Sequence, residues 1–266
     1  MMILRLALLV SILLAPSALG QETEAPKKEK PSREVRYSTF AGQDALESDA
    51  ELLDQAKAIE AAKVKCSLED LKKTAESLSK LVENKATPWR RHFLGLVHYD
   101  IATMLDETEP EASAKHRDLA ATQLEKALAE DEKLVESHAV LAICIAMKID
   151  MSDPQSMMTL AIQAENHYQT GLALAPKNPI LLMNYGVHKH FTPAEFGGGP
   201  KVSRPYFERA LEQAPGFLEA QAWMAICLKD AGEKEAAKKI VDRLEKEHPG
   251  NAWIQGLLDA MYHEVF

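Results

Sequence analysis

Apolar residues recur every three to four positions through most of the chain beyond about residue 49, the spacing that places them on one face of an α-helix. The first two such stretches open after Asp49 and after Ser67, whose side chains can cap a helix N-terminus. Their apolar positions are Leu52, Leu53, Ala56, Ile59, Leu68, Leu71, Ala75, Leu78 and Leu81. This pattern predicts a helical hairpin over residues 49–87.

A helix that ends at a proline recurs in the second half of the chain. Pro176, Pro215 and Pro249 each follow a helical stretch of mixed small and bulky side chains, and they lie 39 and 34 residues apart. These spacings are typical of stacked helical hairpins, none of which can bury its apolar face without a neighbour. We therefore predict an all-α fold, a solenoid of stacked antiparallel helix pairs over residues 88–266 that ends in a capping helix.

Four units between Trp89 and Gly250 share one arrangement of small and bulky positions. The most regular unit has Met224, Ala225, Leu228, Ala237, Val241, Leu244 and Pro249 at these positions. This arrangement resembles the tetratricopeptide repeat family, in which small residues allow the two helices of a unit to pack closely. The resemblance implies a right-handed α-solenoid that binds another protein or peptide, and a fold of this kind does not by itself define the partner.

The units become longer toward the N-terminus. Measured from the small residue of the first helix to the closing position, the separation is 24 residues for Ala225–Pro249, 29 for Gly186–Pro215, 34 for Ala142–Pro176 and 37 for Gly95–Glu132. Because the flanking patterns stay in register, we expect the additional residues to form elongated loops at the hairpin tips. Those predicted tips are residues 106–114, 149–157 and 191–200.

The first twenty residues have the composition of a secretory signal peptide. Arg5 precedes an apolar run over residues 6–14, and the small residues Ala18 and Gly20 favour cleavage before Gln21. The alternative is a retained anchor, although the apolar run is short for a membrane span. We expect a periplasmic or secreted protein without a lipid-anchored cysteine and without an integral membrane segment once residues 1–20 are removed. Residues 21–48, with mixed charge and scattered Pro and Gly, predict a flexible, disordered linker.

The charge of the chain argues against one class of partner, and its cysteines argue against a disulfide framework. The chain has 31 basic and 40 acidic residues, a formal net charge of −9, and no dense basic patch, so nucleic acid is not an expected partner. Cys144 and Cys227 lie in near-copies of one helical pattern, which predicts two small core residues and no disulfide between them. The position of Cys66 is less defined by its pattern.

The family resemblance implies a partner-binding surface on the first helix of each unit, along the inner curve. Carried over position by position, it implicates Trp89, His92, Tyr99, Ile143, Met183, Val187, His190, Phe191 and Lys229. This apolar and aromatic set can hold an extended peptide or an amphipathic helix. The alternative is that the same residues pack against neighbouring helices or against the linker.

A second candidate contact is the loop that contains Phe196, Gly197, Gly198 and Gly199. Successive glycines allow backbone conformations closed to other residues. A phosphate-binding loop is not expected, because no strand precedes the glycines and Lys201 is followed by Val202 in place of Ser or Thr. The loop forms either a fixed tip or a contact with a partner.

No catalytic or metal-binding motif is evident. His188 and His190 are two positions apart on a predicted helix and so point in different directions. We expect no cofactor and no enzymatic activity, and predict a scaffold or adaptor that binds a protein or peptide outside the cytoplasm. The alternative is an accessory protein of the cell envelope that binds a small apolar ligand. An open inner trough favours the first function, and a closed pocket of about 300–1,000 Å³ favours the second.

Overall fold

The computed structural model describes residues 43–149 and 153–263, and throughout these ranges the chain is helical and contains no strand. The predicted signal peptide (1–20) and most of the predicted linker (21–42) lie outside the described residues. Residues 43–48, which the linker prediction included, form a short helix that buries Leu46. Among the described residues, no helix has the length and apolarity needed to cross a membrane.

The described helices follow one another with short connections. They are α1 (Gln43–Ser48), α2 (Ala50–Val64), α3 (Leu68–Asn84), α4 (Pro88–Leu105), α5 (Pro110–Glu130), α6 (Val135–Ala146), α7 (Pro154–Leu174), α8 (Pro179–Phe191), α9 (Pro200–Gln213), α10 (Leu218–Asp230), α11 (Lys234–Glu247) and α12 (Ala252–Leu258). A 3₁₀ turn covers Ala194–Phe196, and a π-helical turn, Asp259–His263, extends α12.

The starts of these helices follow from local sequence. The Asp49 and Ser67 side chains accept hydrogen bonds from the backbone N–H groups of Leu52 and Asp70, which confirms both predicted N-caps. Several later helices begin with proline at the first turn, as α4 does at Pro88, where the missing N–H costs no hydrogen bond.

The helices pack as adjacent pairs, which confirms the predicted all-α stack. The hairpin α2/α3 comes first and is followed by the pairs α4/α5, α6/α7, α8/α9 and α10/α11. The first helix of each pair also contacts the first helix of the next, so α4, α6, α8 and α10 line one side of the array. Side chains from all these pairs contribute to the hydrophobic core.

Glycines at the small positions set the separation within two of the pairs. A Cβ on Gly95 would lie 2.7 Å from Leu124 Cγ, and a Cβ on Gly186 would lie 2.7 Å from the Phe207 ring. Both distances are shorter than van der Waals contact permits. The close approach of α4 to α5 and of α8 to α9 therefore requires residues without a side chain.

The prediction that the additional residues form elongated loops is correct for the third pair, where residues 192–199 separate α8 from α9, and wrong for the first pair. In the second pair α7 begins at Pro154, inside the predicted tip 149–157, and residues 150–152 of that tip lie outside the described residues. In the first pair the connection is residues 106–109, and the helices themselves are long, with 18 residues in α4 and 21 in α5. The second pair also contains a 21-residue helix, α7. Polar residues that were assigned to tips instead extend the exposed faces of helices.

The two ends of the described chain meet. Helix α12 packs against both α10 and α2. Lys63, near the end of α2, donates a 3.4 Å hydrogen bond to Glu219 of α10, and its ammonium lies 4.6 Å from the centre of the Trp253 ring in α12. The inner side of the array is therefore partly covered, in contrast to an open trough.

Candidate functional site

A cavity of about 380 Å³ lies on the inner side of the array, between the stacked first helices and the covering helix α12. Its wall is mainly apolar and aromatic. Side chains from α4, α6, α8 and α10 form that wall, among them Tyr99, Ile143, Met147, Met183, Phe191 and Trp223. From α12, Trp253 and Leu257 close the opposite side. A space of this size and lining suits an apolar group of modest size.

Five of the nine residues implicated on the inner curve line this one cavity. They are Tyr99, Ile143, Met183, Val187 and Phe191. Each stands on the first helix of a pair, which is why the helical register brings them to the same side. Their role in binding stays a prediction.

The other four residues do not line the cavity and make internal contacts. The half-buried Trp89 packs edge-on against His92, with ring centres 5.4 Å apart. His92 is buried and hydrogen-bonds to Ser137 through Nδ1 at 2.9 Å, and its burial lowers the pKa to about 3. Lys229 donates a 2.8 Å hydrogen bond to the carbonyl of Tyr262, so it holds the end of the chain against α10.

His190 lies between Asp230 and Ser203, and these three residue types also form the catalytic triad of serine hydrolases. Its Nε2 is 2.9 Å from Asp230 Oδ2, and its Nδ1 is 3.3 Å from Ser203 Oγ. Ser203 is fully buried and donates to the Pro200 carbonyl at 3.2 Å, and the adjacent Cys227 is fully buried as well. Neither Ser203 nor Cys227 lines the inner cavity, and both have hydrogen-bond partners within the fold, so this network connects α8, α9 and α10 structurally.

Internal hydrogen bonds define the geometry of the glycine loop, and its contact with a partner stays a prediction. The backbone N–H groups of Gly197–Gly199 all donate to carbonyls within residues 189–194, so none is directed at a ligand. Gly197 and Gly199 have φ of +76° and +96°, and a Cβ on Gly198 would overlap the backbone of Thr192. The loop geometry therefore depends on glycine. Phe196 is half-buried in the 3₁₀ turn, outside the cavity.

Among the polar residues that line the cavity, Asp100, Lys63 and Glu219 form a cluster of charged groups. Asp100 is 0% exposed, and neither of its carboxylate oxygens has a hydrogen-bond partner in the described part of the chain. Lys63 Nζ lies 3.8 Å from Asp100 Oδ1, an ion-pair distance too long for a hydrogen bond. Burial raises the pKa of Asp100 to about 7, and it also raises the pKa of Glu219.

Glu165, a second partly buried acid, differs from Asp100 because its carboxylate is fully hydrogen-bonded. Glu165 accepts hydrogen bonds from Tyr185 at 2.6 Å and from Gln169 at 2.7 Å, and it pairs with Lys189 at 3.2 Å and with His188 at 3.4 Å. Although burial acts to raise its pKa, these neighbours lower the pKa of Glu165 to about 2. Its hydrogen-bonding capacity is used within the fold, whereas that of Asp100 is not.

The sequence contains an indication that Asp100 is unusual, although the predicted inner-curve set does not include it. Asp100 interrupts an apolar stretch of α4, between Val97 and Ile101, at a position on the core face of the helix. Lys63, Glu219 and Trp253 carried no comparable signal. They approach the cavity only because α12 and the end of α2 fold across it.

The cysteines and histidines fit structural roles. Cys144 and Cys227 are 0% exposed, which confirms the prediction that both are core residues, and Cys66 is half-buried at the edge of the cavity. In the described ranges, no group of three or more His, Cys, Asp and Glu side chains has the geometry of a metal site. The pairs His98–His116 and His138–His167 have Nδ1 to Nδ1 distances of 3.0 and 2.9 Å.

Part of the chain matches a protein-family model. Residues 202–260, which contain most of α9 and all of α10, α11 and α12, match the family model described as Tetratricopeptide repeat. A search of curated proteins found no significant match.

Proposed function

Because the chain carries a tetratricopeptide repeat at residues 202–260 within a stack of helix pairs, we propose that it is a non-enzymatic scaffold or adaptor that binds a protein or peptide outside the cytoplasm. The repeat match is the observation that carries this proposal, since such repeats belong to protein-interaction scaffolds. Stacked helix pairs present an extended inner surface, and that surface is what these folds use for binding. The extracytoplasmic location rests on the composition of residues 1–20.

The inner face is the proposed binding surface. Its apolar and aromatic wall can receive a bulky side chain of a partner, and buried aromatic side chains commonly dominate the energy of such contacts. Half-buried residues such as Val187 stand at the accessible edge of that wall.

A crosslinking experiment tests this proposal. The tagged chain is crosslinked in its native compartment and its captured proteins are identified by mass spectrometry. Val187→Trp introduces a bulky side chain at the cavity, and Ile162→Trp is the matched control because Ile162 is 45% exposed on α7, away from the cavity. We expect recurrent partners that Val187→Trp loses and Ile162→Trp retains, with equal helicity by circular dichroism. Equal capture by both variants would argue against the inner face.

The extracytoplasmic location has its own test. N-terminal sequencing of the exported protein should give Gln21 as its first residue.

A second function is favoured by the cavity itself. Its volume of about 380 Å³ falls within the range of small-molecule pockets, about 300–1,000 Å³, and α12 covers one side of it. In this alternative the chain is an accessory protein that holds a small, largely apolar ligand. Ligand binding without any recurrent protein partner would favour it over the scaffold.

A further inference from the structure

Within the described chain, Asp100 places a carboxylate without a hydrogen-bond donor at the wall of the inner cavity. The residue lines the cavity and is 0% exposed, yet neither carboxylate oxygen has a hydrogen-bond partner among the described residues. Buried polar groups in native proteins are nearly always paired, because an unpaired group loses its hydration without compensation. A buried acceptor that lacks a donor, on a residue that lines a cavity, is the arrangement expected where a ligand supplies the donor.

The charges around Asp100 define the kind of donor. The Lys63 ammonium lies between two acids, 3.8 Å from Asp100 Oδ1 and 3.4 Å from Glu219 Oε1. Glu60, on the same helix as Lys63, adds a further negative charge in this region. One ammonium is thus shared by several carboxylates. A second cation in the cavity beside Asp100 would balance this group.

The rest of the cavity defines what the cation must be attached to. Aromatic rings of Tyr99, Trp223 and Trp253 line the space together with methionine and leucine side chains. Such a wall excludes a strongly hydrated ion, and it favours an apolar or aromatic body. The faces of tryptophan and tyrosine also attract an ammonium group.

We propose that the cavity binds an alkylammonium group joined to an apolar or aromatic body, with the ammonium donating hydrogen bonds to the Asp100 carboxylate. This inference rests on the inner cavity being the binding site in the functions proposed above. The same chemistry is present in a free amine and in a lysine side chain of a partner peptide. Charge-assisted hydrogen bonds of this kind are stronger than neutral ones, so the acid should discriminate sharply between charged and neutral ligands.

The test compares 2-phenylethylamine with 2-phenylethanol, which has the same shape and no charge. Affinities for the full chain are measured by calorimetry near pH 8, and occupancy of the cavity is checked by protection of Cys66, which lines it, from a thiol reagent. We expect the amine to bind at least about tenfold more tightly than the alcohol. Asp100→Asn should remove this difference. Glu125→Gln is the control, because Glu125 is an exposed acid of α5 that does not line the cavity, and it should leave the difference within about twofold.

Two further comparisons distinguish a free amine from a partner's lysine, and distinguish failure of the ammonium inference from failure of the cavity as a binding site. A short peptide with one lysine between two phenylalanines is compared with the same peptide carrying norleucine, and tighter binding of the lysine peptide than of the free amine would identify a partner's lysine as the source. Equal binding of amine and alcohol, with Cys66 protected by both, would overturn the ammonium inference and leave the cavity as a binding site. If neither small molecule nor the lysine peptide binds the natural chain, the inference and the role of the cavity fail together.

Discussion

Asp100→Asn should stabilise the protein at neutral pH, by an amount that depends on pH. The side chain is 0% exposed, and burial raises the pKa of Asp100 from 3.8 to about 7. In the unfolded chain the acid ionises near its ordinary value, so between the two pKa values the folded state holds a proton that the unfolded state has released. Each pH unit in that interval lowers the free energy of unfolding by about 1.4 kcal/mol, and the full interval corresponds to up to about 4 kcal/mol.

The sign of this effect is fixed by the direction of the pKa change. A carboxyl group with a raised folded-state pKa favours folding at low pH, and that contribution is lost as the pH rises toward about 7. Asparagine keeps the shape of the side chain and does not titrate. The stability of the variant relative to the natural chain should therefore increase by about 2 kcal/mol between about pH 5 and pH 7, and level off above about pH 7.5.

Urea unfolding followed by circular dichroism at intervals of half a pH unit measures this difference. The comparison between variant and natural chain cancels the titration of all other groups. Glu107→Gln removes a carboxylate from an exposed position at the same cavity and should show no such increase. A stability difference for Asp100→Asn that stays constant across this pH range, or a loss of stability at pH 8, would refute the assignment of Asp100 as a buried acid whose desolvation exceeds its pairing with Lys63.

Three other substitutions or measurements test the packing. Gly186→Ala should destabilise the protein by about 1–3 kcal/mol in urea unfolding, because the added Cβ meets the Phe207 ring at 2.7 Å, whereas Gly256→Ala, with open space around it, should be neutral or slightly stabilising. Arg90→Ala should cost about 2–4 kcal/mol and lower the thermal midpoint, since this buried guanidinium pairs with acids at the start of α2; a cost below about 0.5 kcal/mol would contradict that role. In the native protein a thiol reagent should modify Cys66 before the other two cysteines, and simultaneous modification of all three would show that the core opens readily.

The helices and their pairing were predictable from sequence because their determinants are local. Asp49 and Ser67 cap the helices they precede, and the three-to-four-residue spacing of apolar positions defines the buried faces. The recurrence of small residues such as Gly186 indicated close pairs before any contact was known. Burial of Cys144 followed from the same pattern.

The lengths of α5 and α7 could not be predicted from the sequence. Residues 106–114 are polar and contain a proline, a composition that favours a loop when only local preference is considered. In the structure Pro110 occupies the first turn of α5, where proline is well tolerated, and the following residues continue the helix. A polar stretch on the exposed side of a packed helix and a polar loop have similar compositions, and packing against the partner helix decides between them.

Helical register, which the sequence determines, brought five of the nine implicated residues to one side of the array. Register alone did not define the inner surface, since the other four implicated residues make internal contacts. Whether the inward-facing residues form an open trough or a cavity depends on how the small rotation between successive pairs accumulates along the stack. Lys63 and Glu219 are 156 residues apart in the chain, and they meet where the end of α2 and helix α12 close against α10. The same closure buries Asp100 at the wall of the cavity, so the candidate site exists through tertiary structure, although the acid itself was visible in the sequence.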